Sequence, residues 1–196
     1  MNKVAKTISY IFDGSFISVP IFLIVCLMVV DNKIEAINWA FLCLLFGTVV
    51  PYLYIYFLYK KKKINDMHMP EKENRIKPMV VACISYIICF IILYVLEGPK
   101  ILKSIFAVII VSTVILTIIT YFWKICLHAS GITFMVITFY ILFGKWILLM
   151  IPLIPLIGWA RVRIKKHTVS QVILGAGITA ITTFLIYYKY GFINLF

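Results

Sequence analysis

Long apolar segments are the feature that most limits what this chain can fold into. Several of them hold about twenty residues with hardly a charge, which is the length that a helix needs to cross a bilayer. Strands of a membrane barrel need only about ten residues, so these segments are too long for a barrel. The apolar segments cover residues 8–30, 36–59, 79–96, 101–123, 128–143, 145–159 and 168–188.

The balance of apolar and charged residues agrees with a membrane location. Hydrophobic residues make up 64% of the 196 residues and charged residues 13%, whereas a soluble domain carries about a quarter charged residues. We therefore expect an all-α, polytopic helical membrane protein with a single domain over residues 1–196. Six to seven transmembrane helices would form one bundle, six if residues 8–30 lie partly in the membrane interface.

The net charge of +12 raises the alternative of a nucleic-acid partner. The cations lie in short loops between apolar segments, however, so membrane topology and phospholipid headgroups explain them better. We expect the lipid bilayer as a partner and no nucleic acid. The five cysteines fall within or at the edge of apolar segments, without zinc-site spacing, which indicates buried apolar side chains.

Two histidines stand where apolar segments begin, each with a cation close by. Lys124 and His128 are four residues apart, as are His167 and Gln171, so on a helix each pair would share a face. Gln171 can then offer its amide oxygen to one ring nitrogen of His167 and leave a lone pair on the other nitrogen. The third histidine, His68, is interpreted as a solvated loop residue.

The chain contains no Asp or Glu after Glu97. A site with imidazoles and cations but no carboxylate suits an anion such as phosphate and is poorly suited to Mg²⁺ or Ca²⁺, which prefer carboxylate oxygens. We therefore expect neither a metal nor another cofactor. Prenyl or phosphatidyl transferases that depend on Mg²⁺ are disfavoured, because they need paired aspartates.

The order of the apolar segments predicts where these residues meet. The polar segment 60–78, interpreted as a loop, and the segments around His128 and His167 each follow an even number of spans, so all three open on one side of the membrane. That side also collects most of the Lys and Arg residues, including Lys60 to Lys63. Because short loops rich in Lys and Arg stay in the cytoplasm, we expect a site in the cell membrane that faces the cytoplasm.

Three stretches carry a resemblance to a known family. The stretch Ala160–Gln171 resembles the third motif of the type 2 phosphatidic acid phosphatase superfamily, S-R-x5-H-x3-D. Lys72–Pro78 resembles a shortened form of its first motif, K-x6-R-P, and Lys124–Gly131 occupies the place of its second, P-S-G-H. The resemblance covers roughly residues 70–180. It departs from the family pattern where Ala160 replaces the serine and Gln171 the aspartate.

The resemblance implies a metal-independent lipid phosphate or diphosphate phosphatase that forms a phospho-histidine intermediate. His167 would be the nucleophile, His128 the general acid and Gln171 the group that orients His167. The residues implied as ligands of the substrate phosphate are Arg161, Lys124, Arg75, Lys72, Ser130 and Gly131. Phosphatidic acid, phosphatidylglycerophosphate and polyprenyl diphosphates are all compatible substrates. Two alternatives stay open: a lipid phosphotransferase, and a catalytically inactive protein that binds or transports lipid phosphates.

Overall fold

The computed structural model describes residues 2–12, 14–67 and 71–193, and within these ranges its regular secondary structure is helical. The α-helices are α1 (Asn2–Ile11), α2 (Gly14–Val29), α3 (Lys33–Leu44), α4 (Val50–Lys60), α5 (Glu73–Val95), α6 (Lys100–Phe122), α7 (Leu127–Phe143), α8 (Leu153–Arg163) and α9 (Val169–Lys189). A π-helical turn, Leu45–Val49, joins α3 to α4, and a 3-10 helix, Gly144–Met150, follows α7. The chain is an all-α membrane protein, as predicted.

Within the described ranges, five helical stretches are long and apolar enough to cross a membrane. They are Lys33–Lys60, Glu73–Val95, Lys100–Phe122, Leu127–Met150 and Val169–Lys189. The predicted span 8–30 is divided between α1 and α2, and the predicted span 145–159 between the 3-10 helix and α8. The six to seven crossings stay a prediction.

The polar loop is shorter than the sequence suggested. The prediction of a loop is wrong for the second half of the segment 60–78. The helix α5 begins at Glu73, so the residues from there to Pro78 are helical. Hydropathy marks only where the apolar part of a helix begins, which in α5 is Met79. The helix itself begins about a turn and a half earlier, with residues that include charged side chains. Glu73 lies in the first turn of α5, where a negative charge interacts favourably with the helix dipole.

The described residues pack as two compact units, one formed by residues 18–123 and the other by residues 1–17 with 124–196. In the unit 18–123, α5 packs against α4 and α6. The π-helical turn provides polar anchors: Ser85 of α5 donates a hydrogen bond to the carbonyl of Phe46 at 2.7 Å, and Thr48 shares one with Ser18 of α2 at 2.7 Å. The single domain over residues 1–196 stays a prediction.

The other unit is built around the parallel neighbours α7 and α9. The backbone N–H of Cys126 donates to the carbonyl of Gln171, and the hydroxyl of Ser130 donates to the carbonyl of Gly175 at 3.0 Å. A step of four residues in the same direction on both helices means that they run parallel. The connecting residues 144–163 must therefore return to the end at which α7 begins. This return brings the start of α9 beside the start of α7.

Candidate functional site

The turn between α8 and α9 has a fixed backbone geometry. Lys165 adopts a left-handed conformation with φ of 57°. Its N–H donates to the carbonyl of Val162, and the N–H of Lys166 donates to the carbonyl of Arg161, which is the Schellman pattern that ends a helix. The N–H of His167 also points at the Arg161 carbonyl, at 3.4 Å. The end of α8 thus determines where the backbone of His167 lies.

A capping box begins α9 directly after this turn. Thr168 is the N-cap residue, and its hydroxyl accepts from the backbone N–H of Gln171 while the Gln171 side chain accepts from the backbone N–H of Thr168. Such reciprocal bonds satisfy N–H groups that have no partner inside the helix. The spacing of a threonine and a glutamine three residues apart is a sequence signal for this box, and it explains why Gln171 points back toward His167.

The capping box also determines the tautomer of His167. Nδ1 of His167 lies 3.0 Å from Oε1 of Gln171, so the predicted hydrogen bond is confirmed. The Thr168 N–H donates to this same Gln171 atom, which must therefore be the amide oxygen, an acceptor only. Nδ1 consequently carries the proton, and in the neutral ring the lone pair belongs to Nε2. The imidazole is 6% exposed, so this arrangement is protected from water.

The start of α7 lies beside this histidine. Cys126 is the N-cap of α7, and its N–H bonds to the Gln171 carbonyl at 3.3 Å. His128 is half-buried in the first turn of α7. Lys124 precedes the helix, in a segment without regular secondary structure, so the prediction that Lys124 and His128 share one helix face is wrong.

An open cleft of about 440 Å³ lies at this end of the unit. Its lining consists of Lys124, Val162, Lys165, Lys166, His167, Thr168 and Gln171. The cleft therefore brings Lys124 together with His167 and Gln171, whereas His128 is not among its lining residues. The predicted meeting of the segment 60–78 with the His128 and His167 segments stays a prediction. Lys165 and Lys166 were missed as site residues, because a lysine run beside a span was interpreted as a topology signal. The Thr168 capping signal would have placed both lysines in the turn that precedes α9.

The cleft is electrostatically suited to an anion. Three of its lining residues are lysines, and residues 124–196 contain no Asp or Glu. The N-terminal ends of α7 and α9 lie side by side here, and the positive ends of two helix dipoles reinforce the lysines. Among the described residues, no group of three or more His, Cys, Asp or Glu side chains is placed to hold a metal ion.

Arg161 is buried at 3% exposure, and its Nη1 donates to the hydroxyl of Ser9 at 2.6 Å. This bond connects the end of α8 to α1. Arg161 thus supports the cleft through its backbone, which holds Lys166 and His167, as well as through the packing of α8. Its predicted contact with a substrate phosphate stays a prediction.

Ser130 and Gly131 follow His128 in α7. The Ser130 hydroxyl lies within hydrogen-bond distance of the carbonyls of Cys126 and Gly175, at 3.2 and 3.0 Å, so it joins α7 to α9. A Cβ at Gly131 would meet no atom within 4 Å, so packing does not require glycine there. Phosphate binding by these two residues stays a prediction.

Lys72 and Arg75 belong to the unit 18–123. Lys72 donates to the carbonyls of Tyr121 and Phe122 at 3.3 and 3.2 Å, so it caps the C-terminal end of α6. Arg75 lies in the first turn of α5 and is 5% exposed. Their predicted role as phosphate ligands also stays a prediction. His68 lies outside the described residues.

Comparison of the chain with protein-family models, curated proteins and solved structures finds no match. The resemblance to the phosphatidic acid phosphatase superfamily therefore rests on the three sequence motifs alone.

Proposed function

We propose that this protein is a metal-independent phosphatase of lipid phosphates or diphosphates, with His167 as the nucleophile. The observation that carries the proposal is the fixed tautomer of His167, whose Nδ1 proton is held by Gln171 and whose lone pair lies on Nε2. A histidine oriented in this way is suited to attack phosphorus. The lysine-lined cleft around it supplies the charge that a phosphate requires.

The proposed reaction has two steps. The Nε2 lone pair of His167 forms a bond to phosphorus, and the bond from phosphorus to the lipid oxygen breaks with its electrons going to that oxygen. His128 in its imidazolium form donates a proton to the leaving oxygen. Water then attacks phosphorus and gives a proton to His128, which is neutral after the first step, while the P–N bond breaks with its electrons returning to Nε2 and inorganic phosphate leaves. Lys124, Lys165 and Lys166 would interact with the phosphoryl oxygens, because their charges stabilise the growing negative charge in the transition state.

The position of the cleft at the end of apolar helices supports a lipid substrate. A phosphate headgroup can enter the cleft while its acyl or isoprenoid tail remains among the helices and lipids. Phosphatidic acid, phosphatidylglycerophosphate and polyprenyl diphosphates fit this description equally. We propose the cell membrane as the location, with the cleft toward the cytoplasm.

A non-catalytic protein that binds or transports lipid phosphates is the second candidate, and the role of Gln171 favours it. The capping box already explains a glutamine at this position without catalysis. In such a protein the same cleft would bind the phosphate but leave its ester bond intact.

The deciding experiment measures phosphate release by the detergent-solubilised protein from a panel of lipid phosphates, in the presence of EDTA. We expect turnover with EDTA, inhibition by vanadate, and loss of turnover in His167→Ala. Binding of the same lipids is measured in parallel. Lipid binding without phosphate release by the wild-type protein would support the non-catalytic candidate. Appearance of labelled phosphate in a second lipid would identify a phosphotransferase, and restoration of activity by Mg²⁺ after chelation would contradict the mechanism.

A further inference from the structure

A column of buried hydroxyl groups runs along the interface of α7 and α9, further along both helices than the cleft. Its members are Ser130, Thr133, Thr138, Thr179, Thr182, Thr183 and Tyr187, each less than a tenth exposed. Several are bonded: Thr138 shares a hydrogen bond with the Tyr187 hydroxyl at 2.9 Å, and Thr183 donates to the Thr179 carbonyl at 2.6 Å. The first of these bonds joins α7 to α9, as polar side chains commonly do between membrane helices, and the second lies within α9.

Two members of this column differ from the rest. Thr133 is 3% exposed and Thr179 is 2% exposed, and the hydroxyl oxygens of both have no hydrogen-bond partner among the described residues. In the middle of an apolar helix pair, a hydroxyl without a partner is unfavourable because neither protein nor bulk water compensates for its lost hydration.

A hydrogen bond to a carbonyl of its own helix does not provide a partner for the hydroxyl of Thr179. A threonine in a helix usually donates to the carbonyl four residues earlier, which here belongs to Gly175. That carbonyl already accepts the Ser130 hydroxyl at 3.0 Å, in addition to its helical N–H donor. Both of its lone pairs are therefore in use, and the Thr179 hydroxyl needs an acceptor or donor from outside its own helix.

The register of the two helices brings the two hydroxyls to the same level. Ser130 bonds to Gly175, and Thr133 and Thr179 lie three and four residues further along their respective helices. Each step is about one turn, in the same direction on parallel helices. Neither hydroxyl is bonded to the other or to another described residue, so both can bond to a small molecule that lies between the helices at this level.

We propose that Thr133 and Thr179 hold an internal water molecule between α7 and α9. A buried water is stable where it bonds to two or more protein groups that otherwise lack partners, and this pair provides two. The water donates to one hydroxyl and accepts from the other. The proposal concerns the interior of the unit and does not depend on phosphatase activity.

The test compares Thr133→Val, Thr179→Val and the double variant by thermal unfolding in detergent. Valine has nearly the shape of threonine but no hydroxyl. We expect each single variant to melt roughly 2–4 °C lower, because the remaining hydroxyl and the water lose a partner. The double variant should melt no lower than the less stable single variant, since the first substitution already disrupts the bridge. Thr133→Ser keeps the hydroxyl, so adding Thr179→Val to this variant should lower the melting temperature as much as Thr179→Val does in the wild type.

Thr117→Val in α6 is the matched control. The hydroxyl of Thr117 donates to the carbonyl of Thr113 at 2.6 Å within the same helix. Thr117→Val therefore measures how much the melting temperature changes when a threonine that takes part in no bridge between helices is replaced by valine. Additive losses in the double variant, or higher melting temperatures in both single variants, would overturn the proposal. A high-resolution structure of the wild type gives an independent answer: density within hydrogen-bond distance of both hydroxyls supports the water, and its absence overturns it.

Discussion

At the residue scale, Gln171 serves both the start of α9 and the orientation of His167. Replacing it with alanine removes both functions, whereas Thr168→Ala removes only the hydroxyl that caps the helix. We expect both variants to lose about 0.5–2 kcal/mol of stability, the usual effect of losing a helix cap. Phosphate release should fall at least tenfold further in Gln171→Ala, about 1.4 kcal/mol of barrier, because only this variant frees the imidazole.

Melting temperatures and kcat for the two variants provide the comparison. Equal activity in both would mean that the hydrogen bond to Nδ1 has no role in turnover. Gln171→Glu is the complementary variant, since glutamate also forms a capping box and adds a negative charge beside the imidazole. It should keep the stability of the wild type and at least its activity.

Lys165 offers a second prediction at this scale, with a matched control elsewhere in the chain. Lys165 and Lys62 both adopt a positive φ, 57° and 54°, directly after a helix end. Alanine at either position removes one charge and meets the same backbone strain. Only Lys165 lines the cleft, so Lys165→Ala should raise KM about tenfold or more, as expected for a lost charged hydrogen bond. Lys62→Ala should leave KM unchanged, and an equal effect of both would exclude a specific role of Lys165.

At the scale of the element, the contact between α7 and α9 depends on Gly175. A Cβ there would lie 2.8 Å from the carbonyl oxygen of Cys126 and 3.0 Å from the hydroxyl oxygen of Ser130. A backbone oxygen cannot rotate away, so Gly175→Ala must separate the helices and should cost about 1–3 kcal/mol. Because the cleft lies where these helices begin, activity should fall as well.

Gly177 on the same helix is the control for this variant. A Cβ at Gly177 meets nothing within 4 Å, and alanine favours a helix over glycine by roughly 0.5–1 kcal/mol. Gly177→Ala should therefore be neutral or stabilising in the same thermal unfolding measurement. If Gly175→Ala melted at or above the temperature of Gly177→Ala, the close approach of α7 and α9 would be incorrect.

At the scale of the whole molecule, the open prediction is which side of the membrane carries the cleft. Lys60 ends α4 and Lys61 to Lys63 directly follow it, and such short cationic segments are retained in the cytoplasm. Asn65 is exposed in the same loop, so a single cysteine placed there in a cysteine-free background reports the side of this loop. We expect an impermeant thiol reagent to label it only after the cells are permeabilised. Labelling of intact cells would reverse the topology and leave the cleft itself unchanged.

The sequence was sufficient for the helical membrane class and for most helix positions, because hydropathy is a local property. The apolar segment 168–188 agrees with α9, Val169–Lys189, within one residue. The pairing of His167 with Gln171 could also be predicted, since it depends on four residues of local spacing. Helix ends that carry charge, such as the start of α5 at Glu73, could not be predicted from hydropathy.

Only the tertiary structure decided which cations reach the cleft. Lys165 and Lys166 line it because the turn between α8 and α9 lies beside Lys124 and the start of α7, and the number of charges in the sequence does not indicate this proximity. Ser130 and Arg161 form bonds to Gly175 and Ser9, distant residues whose proximity depends on how the helices pack. A hydrogen bond between residues close in sequence, such as that of His167 with Gln171, depends on their spacing. A bond to a distant residue depends on how the helices pack against each other.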